Sequence, residues 1–257
     1  VRAWKKKRIH EMKKDMNHIF SLFPHEKLIF NKIKLPNTFV GHPLANKIPI
    51  KPPIKKAREL LKINSQKTII SLLPGSRKSE LKWHLDVMIK SAIKINQKIN
   101  DCEFLIPVNN RENHAYAIKQ ITHIDIKNIK IIIGHSHDVI CASNLCILAS
   151  GTASLEAALY KKPMIIIYKM SWLSWIILKR MHLIPYVGLP NILLNKFFVP
   201  ELIQYSAKDK IISAKAIEIL SNKEYLKEIR TVFAGLHKQL KKDTSGLIIG
   251  RIKRHLK

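Results

Sequence analysis

From Thr68 onward, short aliphatic runs alternate with longer amphipathic stretches, and few architectures accept that order. The runs are Thr68–Leu73, Glu103–Val108, Ile129–Ile133, Leu145–Leu148 and Pro163–Tyr168. Each is nearly all apolar, which suits a strand covered on both faces. The stretches between them carry helical spacing. In Glu80–Ile99, the side chains of Leu81, Leu85, Met88, Ile89, Ala92, Ile93 and Ile95 fall on or near one face. Asn110–Ile121, His137–Ala142 and Ser154–Tyr160 fill the next gaps. Parallel strands need crossover connections, and helices supply them, so the alternation predicts a doubly wound parallel α/β sheet. From Asp209 to the end the chain reads as helix.

The first forty residues are organised differently. A basic segment, Trp4–Lys14, leads into a strand over His18–Phe23, a short helix over Pro24–Lys32 and a strand over Thr38–Gly41. A proline-rich stretch, Pro49–Pro53, follows. This pattern predicts the tail of one domain over 1–41, then a linker and a second domain, the two together spanning 42–257.

Charge narrows the partners. Lys and Arg number 46 against 18 Asp and Glu, a formal net charge of +28. An anionic partner or an acidic membrane surface would answer that excess. So would compositional drift, because Ile, Lys and Asn are all abundant. Neither an aromatic RNA-recognition pattern nor a Cys/His finger spacing is present, so nucleic acid is an unlikely partner. Cys102, Cys141 and Cys146 match no zinc spacing and read as small core residues. The twelve histidines form no metal-ligand or nucleophile–base spacing. No apolar run reaches the roughly 20 residues of a membrane-spanning helix.

Two loops could hold phosphate. Leu73-Pro74-Gly75-Ser76-Arg77 follows a buried strand and precedes a helix whose first turn carries Ser79 and Glu80. In a parallel sheet this is the C-terminal edge, where ligands bind. Gly75 permits close backbone approach, and helix amides with Arg77 attract an anion. An ordinary strand-to-helix turn would look similar. Ser150-Gly151-Thr152-Ala153-Ser154-Leu155-Glu156 is the stronger motif. Its small residues leave amides and hydroxyls free for a diphosphate. Glu156, one turn into the helix, could accept from a ribose diol or cap the helix start. A third stretch, Gly188-Leu189-Pro190-Asn191 followed by Pro200-Glu201-Leu202-Ile203-Gln204, reads as a polar turn and a helix start. Asn191 and Gln204 could also orient sugar hydroxyls. Trp172 and Trp175 stand beside Ile176–Leu178, Lys179 and Arg180 in a segment that suits either a core helix or lipid contact.

These motifs together resemble lipid-A-disaccharide synthases. The resemblance rests on Gly41-His42-Pro43-Leu44-Ala45, Leu72-Leu73-Pro74-Gly75-Ser76-Arg77, Ala149-Ser150-Gly151-Thr152-Ala153-Ser154-Leu155-Glu156 and Leu189-Pro190-Asn191-Ile192-Leu193, in order over almost the whole chain. It implies a GT-B-type arrangement of two facing Rossmann-like domains. The C-terminal domain would be complete here, with only a remnant of the N-terminal one. The reaction implied moves 2,3-diacylglucosamine from UDP to 2,3-diacylglucosamine 1-phosphate, with inversion and without cofactor or metal. By position, Arg77, Thr152, Glu156 and Asn191 would contact UDP, Glu201 and Gln204 would lie close to the donor, and Gly75, Ser76, Gly151, Ala153 and Ser154 would shape the phosphate cradle. The partners implied are UDP-2,3-diacylglucosamine, a lipid acceptor and the inner face of the inner membrane, reached from the cytoplasm, with pairing of two copies also open.

His25 departs from the family pattern, which has Phe there. Most of the N-terminal domain is expected to precede Val1, and the acidic catalytic base with it. Glu11, Asp15 and Glu26 read as surface-helix residues. Phe233, Leu236, Leu247 and Ile248 are expected to be exposed in the absence of that domain. Other UDP-sugar transferases with a lipid acceptor and UDP-sugar epimerases share the second phosphate motif in kind. A basic nucleotide- or nucleic-acid-binding module is the alternative outside enzymes.

Overall fold

The computed structural model describes residues 6–255 apart from 65, 123, 125 and 172–185. The chain begins with helix α1 (Lys6–Asp15), strand β1 (Ile19–Ser21), helix α2 (Pro24–Lys32) and strand β2 (Asn37–Phe39). β1 and β2 pair in parallel as a small sheet of their own. Helices α3 (Pro43–Lys47) and α4 (Ile54–Leu60) follow. The main layer then alternates: β3 (Thr68–Leu73), α5 (Lys78–Asn96), β4 (Cys102–Val108), α6 (Arg111–Ile121), β5 (Ile129–Ile133), α7 (Ser136–Ala142), β6 (Leu145–Ala149), α8 (Thr152–Leu159) and β7 (Met164–Tyr168). Helix α9 (Leu189–Leu194) and strand β8 (Glu201–Ile203) come next, then a 3-10 turn and helices α10 (Asp209–Ser221), α11 (Lys223–Leu240) and α12 (Thr244–His255).

The six strands β3 to β8 form one parallel sheet in the order β5-β4-β3-β6-β7-β8. Strand alternation assigns each face to its own core. Ile69 and Leu73 of β3, Cys146 and Leu148 of β6, and Met164 and Ile166 of β7 face a core closed by α4, α7, α8 and α11. Ile70 and Leu72, Leu145 and Ile147, and Ile165 and Ile167 face the other, closed by α5, α6 and α10. Most of these side chains are fully buried, and each contributes on the order of 1.5–3 kcal/mol. The fold is the expected α/β architecture, and the five expected strands agree within a residue at either end.

Two expectations change. Glu201–Ile203, read as a polar turn and helix start, is a sixth strand at the sheet edge, and the turn begins only at Gln204. Three half-buried residues on an edge carry too little apolar signal to stand out. The final stretch is helical as expected, in three helices. Phe233 and Leu236, expected exposed, are buried in the first core, whereas Leu247 is 40% exposed. The physical reason is that α11 turns its apolar face onto α8 of this same domain.

The chain order sets the place of the site. It runs outward from β3 to β4 and β5, then returns to β6 on the other side of β3. The loops leaving β3 and β6 therefore diverge, and a crevice opens between them at the C-terminal edge.

Candidate functional site

A cavity of about 650 Å³ occupies that crevice. Gly75, Ser76 and Arg77 line it from the β3 loop, and Gly151, Thr152, Ala153 and Glu156 from the start of α8. Sequence motifs about seventy-five positions apart thus meet because β3 and β6 are neighbours, with Leu73 paired to Leu148. Asn109, Gly134, Ser136 and Tyr168 add walls that the motifs did not predict.

The two helix starts differ. At α5 the Glu80 carboxylate accepts from the amides of Ser76 at 2.8 Å and Arg77 at 3.1 Å. It also draws the Arg77 guanidinium to 3.3 Å. This loop's amides are therefore engaged by an anionic side chain of the same helix. The signal for it was a glutamate three residues after the residue preceding the helix, the capping-box spacing. Gly75 sits at φ +111, and a Cβ there would collide with Glu80. At α8 no side chain caps the start. Ser154 is fully buried and its hydroxyl donates to the Gly151 carbonyl at 2.7 Å, so it shapes the turn from behind. Gly151, Thr152 and Ala153 thus line the cavity at the positive end of α8, while the Ser154 amide bonds back to the Gly151 carbonyl at 3.2 Å.

Glu156 does not cap its own helix. Its carboxylate lies 3.0 Å from His137 Nδ1. Burial pushes the Glu156 carboxyl above its ordinary value, and the nearby imidazole pulls it part of the way back. A half-buried acceptor one turn behind an open helix start suits hydroxyls of a ligand held at that start.

Asn191, Glu201 and Gln204 do not line the cavity. Asn191 is fully buried, and its amide is used by Phe198, Val199 and Glu201. Glu201 accepts from the amides of Val187 at 2.8 Å and Gly188 at 2.9 Å. Gln204 accepts from the Met170 amide at 2.9 Å and donates to its carbonyl at 3.1 Å. All three clamp the loops between β7 and β8. The segment with Trp172, Trp175, Ile176–Leu178, Lys179 and Arg180 lies outside the described residues. Glu26 accepts from the Leu22 and Phe23 amides and caps α2.

His84 was not anticipated. It is buried one turn after Glu80, on the same face of α5. Its Nε2 lies 3.0 Å from the Lys169 amide and its Nδ1 2.9 Å from the Pro74 carbonyl. The amide must donate, so Nε2 accepts and Nδ1 carries the proton toward Pro74. This neutral ring ties the β3 loop to the exit of β7. Burial lowers its pKa from 6.5, outweighing the carbonyl of Pro74. The unfolded chain then takes up the proton first as pH falls below 6.5, so stability is full above that value and declines beneath it. Burial lowers His42 and His237 likewise. Urea unfolding should show a loss of stability between about pH 7.5 and about pH 5.5, and His84→Gln should reduce the slope by up to ~1.4 kcal/mol per pH unit. An unchanged slope would mean that His84 titrates as a solvated histidine.

The family model for lipid-A-disaccharide synthetase matches residues 1–247. The chain is 41% identical over 245 residues to the lipid-A-disaccharide synthase of Methylobacillus flagellatus, covering 94% of this chain and 65% of the relative. It is 37% identical to that of Aromatoleum aromaticum, covering 95% and 63%. It therefore spans slightly less than two thirds of these relatives' length. Among solved structures, it is similar in fold to the UDP-GlcNAc 2-epimerase of Neisseria meningitidis bound to UDP-GlcNAc, with a TM-score of 0.64 at 13% identity, covering 93% of this chain and 62% of that one. A glycosyltransferase from Rickettsia africae gives 0.61 at 12% identity, covering 99% and 68%.

Proposed function

Because the chain belongs to the lipid-A-disaccharide synthetase family, we propose that its six-stranded domain holds the UDP of an acylated sugar donor in a hexosyl transfer that builds lipid A. The observation that carries this reading is the uncapped start of α8 at the topological switch point, with Glu156 one turn behind it. The α8 amides and the Thr152 hydroxyl take the diphosphate, and Glu156 takes the ribose diol. Arg77, 80% exposed beside the cavity, swings from Glu80 to the phosphate when the nucleotide enters. The donor is UDP-2,3-diacylglucosamine and the acceptor 2,3-diacylglucosamine 1-phosphate, joined with inversion. Residues 42–257 form the donor domain, and 1–41 belong with the acceptor domain.

The charge of +28 supports work at an anionic inner-membrane surface, on its cytoplasmic face. No helix among the described residues is long and apolar enough to cross a membrane. The exposed Leu247, Ile249 and Ile252 of α12 support pairing with a second copy.

Calorimetric titration with UDP, GDP and ADP tests the nucleotide reading. UDP should bind most tightly. Glu156→Gln should weaken UDP about tenfold, as expected when a charge-assisted hydrogen bond becomes a neutral one, and should leave a UDP analogue without the ribose diol nearly unaffected. Equal binding of the three nucleotides, or equal losses for UDP and its analogue, would overturn the assignment.

A further inference from the structure

A second cavity, of about 790 Å³, lies at the opposite edge of the main sheet, where β3, β6 and β7 begin. Lys51 before α4, Arg58 of α4, Lys161 and Lys162 after α8, and Arg230 of α11 surround it, with no carboxylate among its described lining residues. Much of the remaining wall is aliphatic, including Ile54 and Leu226.

A general excess of lysine explains solvated ammonium groups but not this cluster. Lys162 is only 5% exposed, and its Nζ donates to the Ser143 carbonyl at 2.8 Å. The charges nearest to it include Arg58 and Arg230, of its own sign. Arg58 donates to neutral oxygens, those of Ala142 at 3.1 Å and Asn144 at 2.7 Å among them. Lys161 Nζ lies 2.7 Å from His237 Nδ1, and His237 Nε2 lies 2.9 Å from the Ala45 carbonyl. His237 Nδ1 also lies 3.2 Å from the Leu159 carbonyl, so the ring stands between two carbonyls and the Lys161 amine with no described carboxylate in contact. Burial first, and neighbouring cations after it, bring Lys161 and Lys162 down to about 8. Like charges gathered in a half-enclosed apolar space are costly, and an anion placed among them offsets that cost.

We propose that this cavity binds the anionic head of an aliphatic amphiphile, the cluster of cations taking the head and the aliphatic wall the chain. The site lies across the sheet from the switch-point cavity, and the inference is independent of the nucleotide reading.

The test is calorimetry on the full chain with dodecyl phosphate below its micelle concentration, beside inorganic phosphate and dodecyl maltoside. Dodecyl phosphate should bind once per chain, at least roughly tenfold tighter than either comparator, with saturating UDP making no difference. Lys162→Met and Arg230→Gln should each weaken it about fivefold. Arg230 is exposed, so its variant reports even if the buried substitution disturbs folding. Equal binding of the maltoside would reduce the cavity to an apolar groove. Equal binding of inorganic phosphate would remove the chain from the recognition. Unchanged affinity in Arg230→Gln would overturn the cationic site.

Discussion

Asn191→Ala should destabilise the protein by about 3–5 kcal/mol, one of the largest losses expected from any single side chain here. The side chain is fully buried, and every polar atom is used. Its Oδ1 accepts from the amides of Phe198 and Val199, both at 2.9 Å. Its Nδ2 donates to the Val199 carbonyl and to Glu201 Oε1, both at 2.8 Å. Alanine strands two amides, a carbonyl and part of a carboxylate in a place that water does not reach, and each orphaned group costs about 1–3 kcal/mol. Asn191→Asp should also be poorly tolerated. It keeps the acceptor but sets a second carboxylate against Glu201. Urea unfolding measures both variants. If Asn191 touched the nucleotide instead, stability would hold while UDP affinity fell.

Phe233→Ala should cost about as much, roughly 3–5 kcal/mol, by leaving a cavity in the first core. Phe233 is fully buried and meets Phe198 edge-on, with ring centroids 5.7 Å apart at 82°. Ile229, Leu236 and Leu240 continue the same stripe of α11 against α8. The penultimate helix is thus part of this domain's own core. Leu247→Ala on α12 should move stability by less than ~0.5 kcal/mol, because that side chain is exposed. Thermal or chemical denaturation of the two variants side by side makes the comparison. A loss below about 1 kcal/mol for Phe233→Ala would mean that α11 packs loosely and that the domain core ends at α10.

Much of the fold was legible before any coordinates. The strands from Thr68 to Tyr168 are short apolar runs, and a strand buried on both faces carries that pattern within its own few residues. The loops at Gly75 and Gly151 were legible for the same reason, since small residues at a strand-to-helix junction mark where backbone is open. The three-residue strand at Glu201 was not, because an edge position leaves it half polar.

What the sequence determined by itself, then, is the order of strands and helices and the position of the two glycine loops, all carried by local periodicity and local backbone freedom. Tertiary structure alone decided how each polar group is employed. Asn191 and Glu201 bond to each other, a pairing that the pattern between them along the chain does not reveal. His84, one histidine among twelve, became a strut because a backbone amide 85 positions away points at it. For a side chain such as His84 the partner is whichever group the packed elements bring within reach, and it is set by the three-dimensional order of the strands, not by its neighbours along the chain.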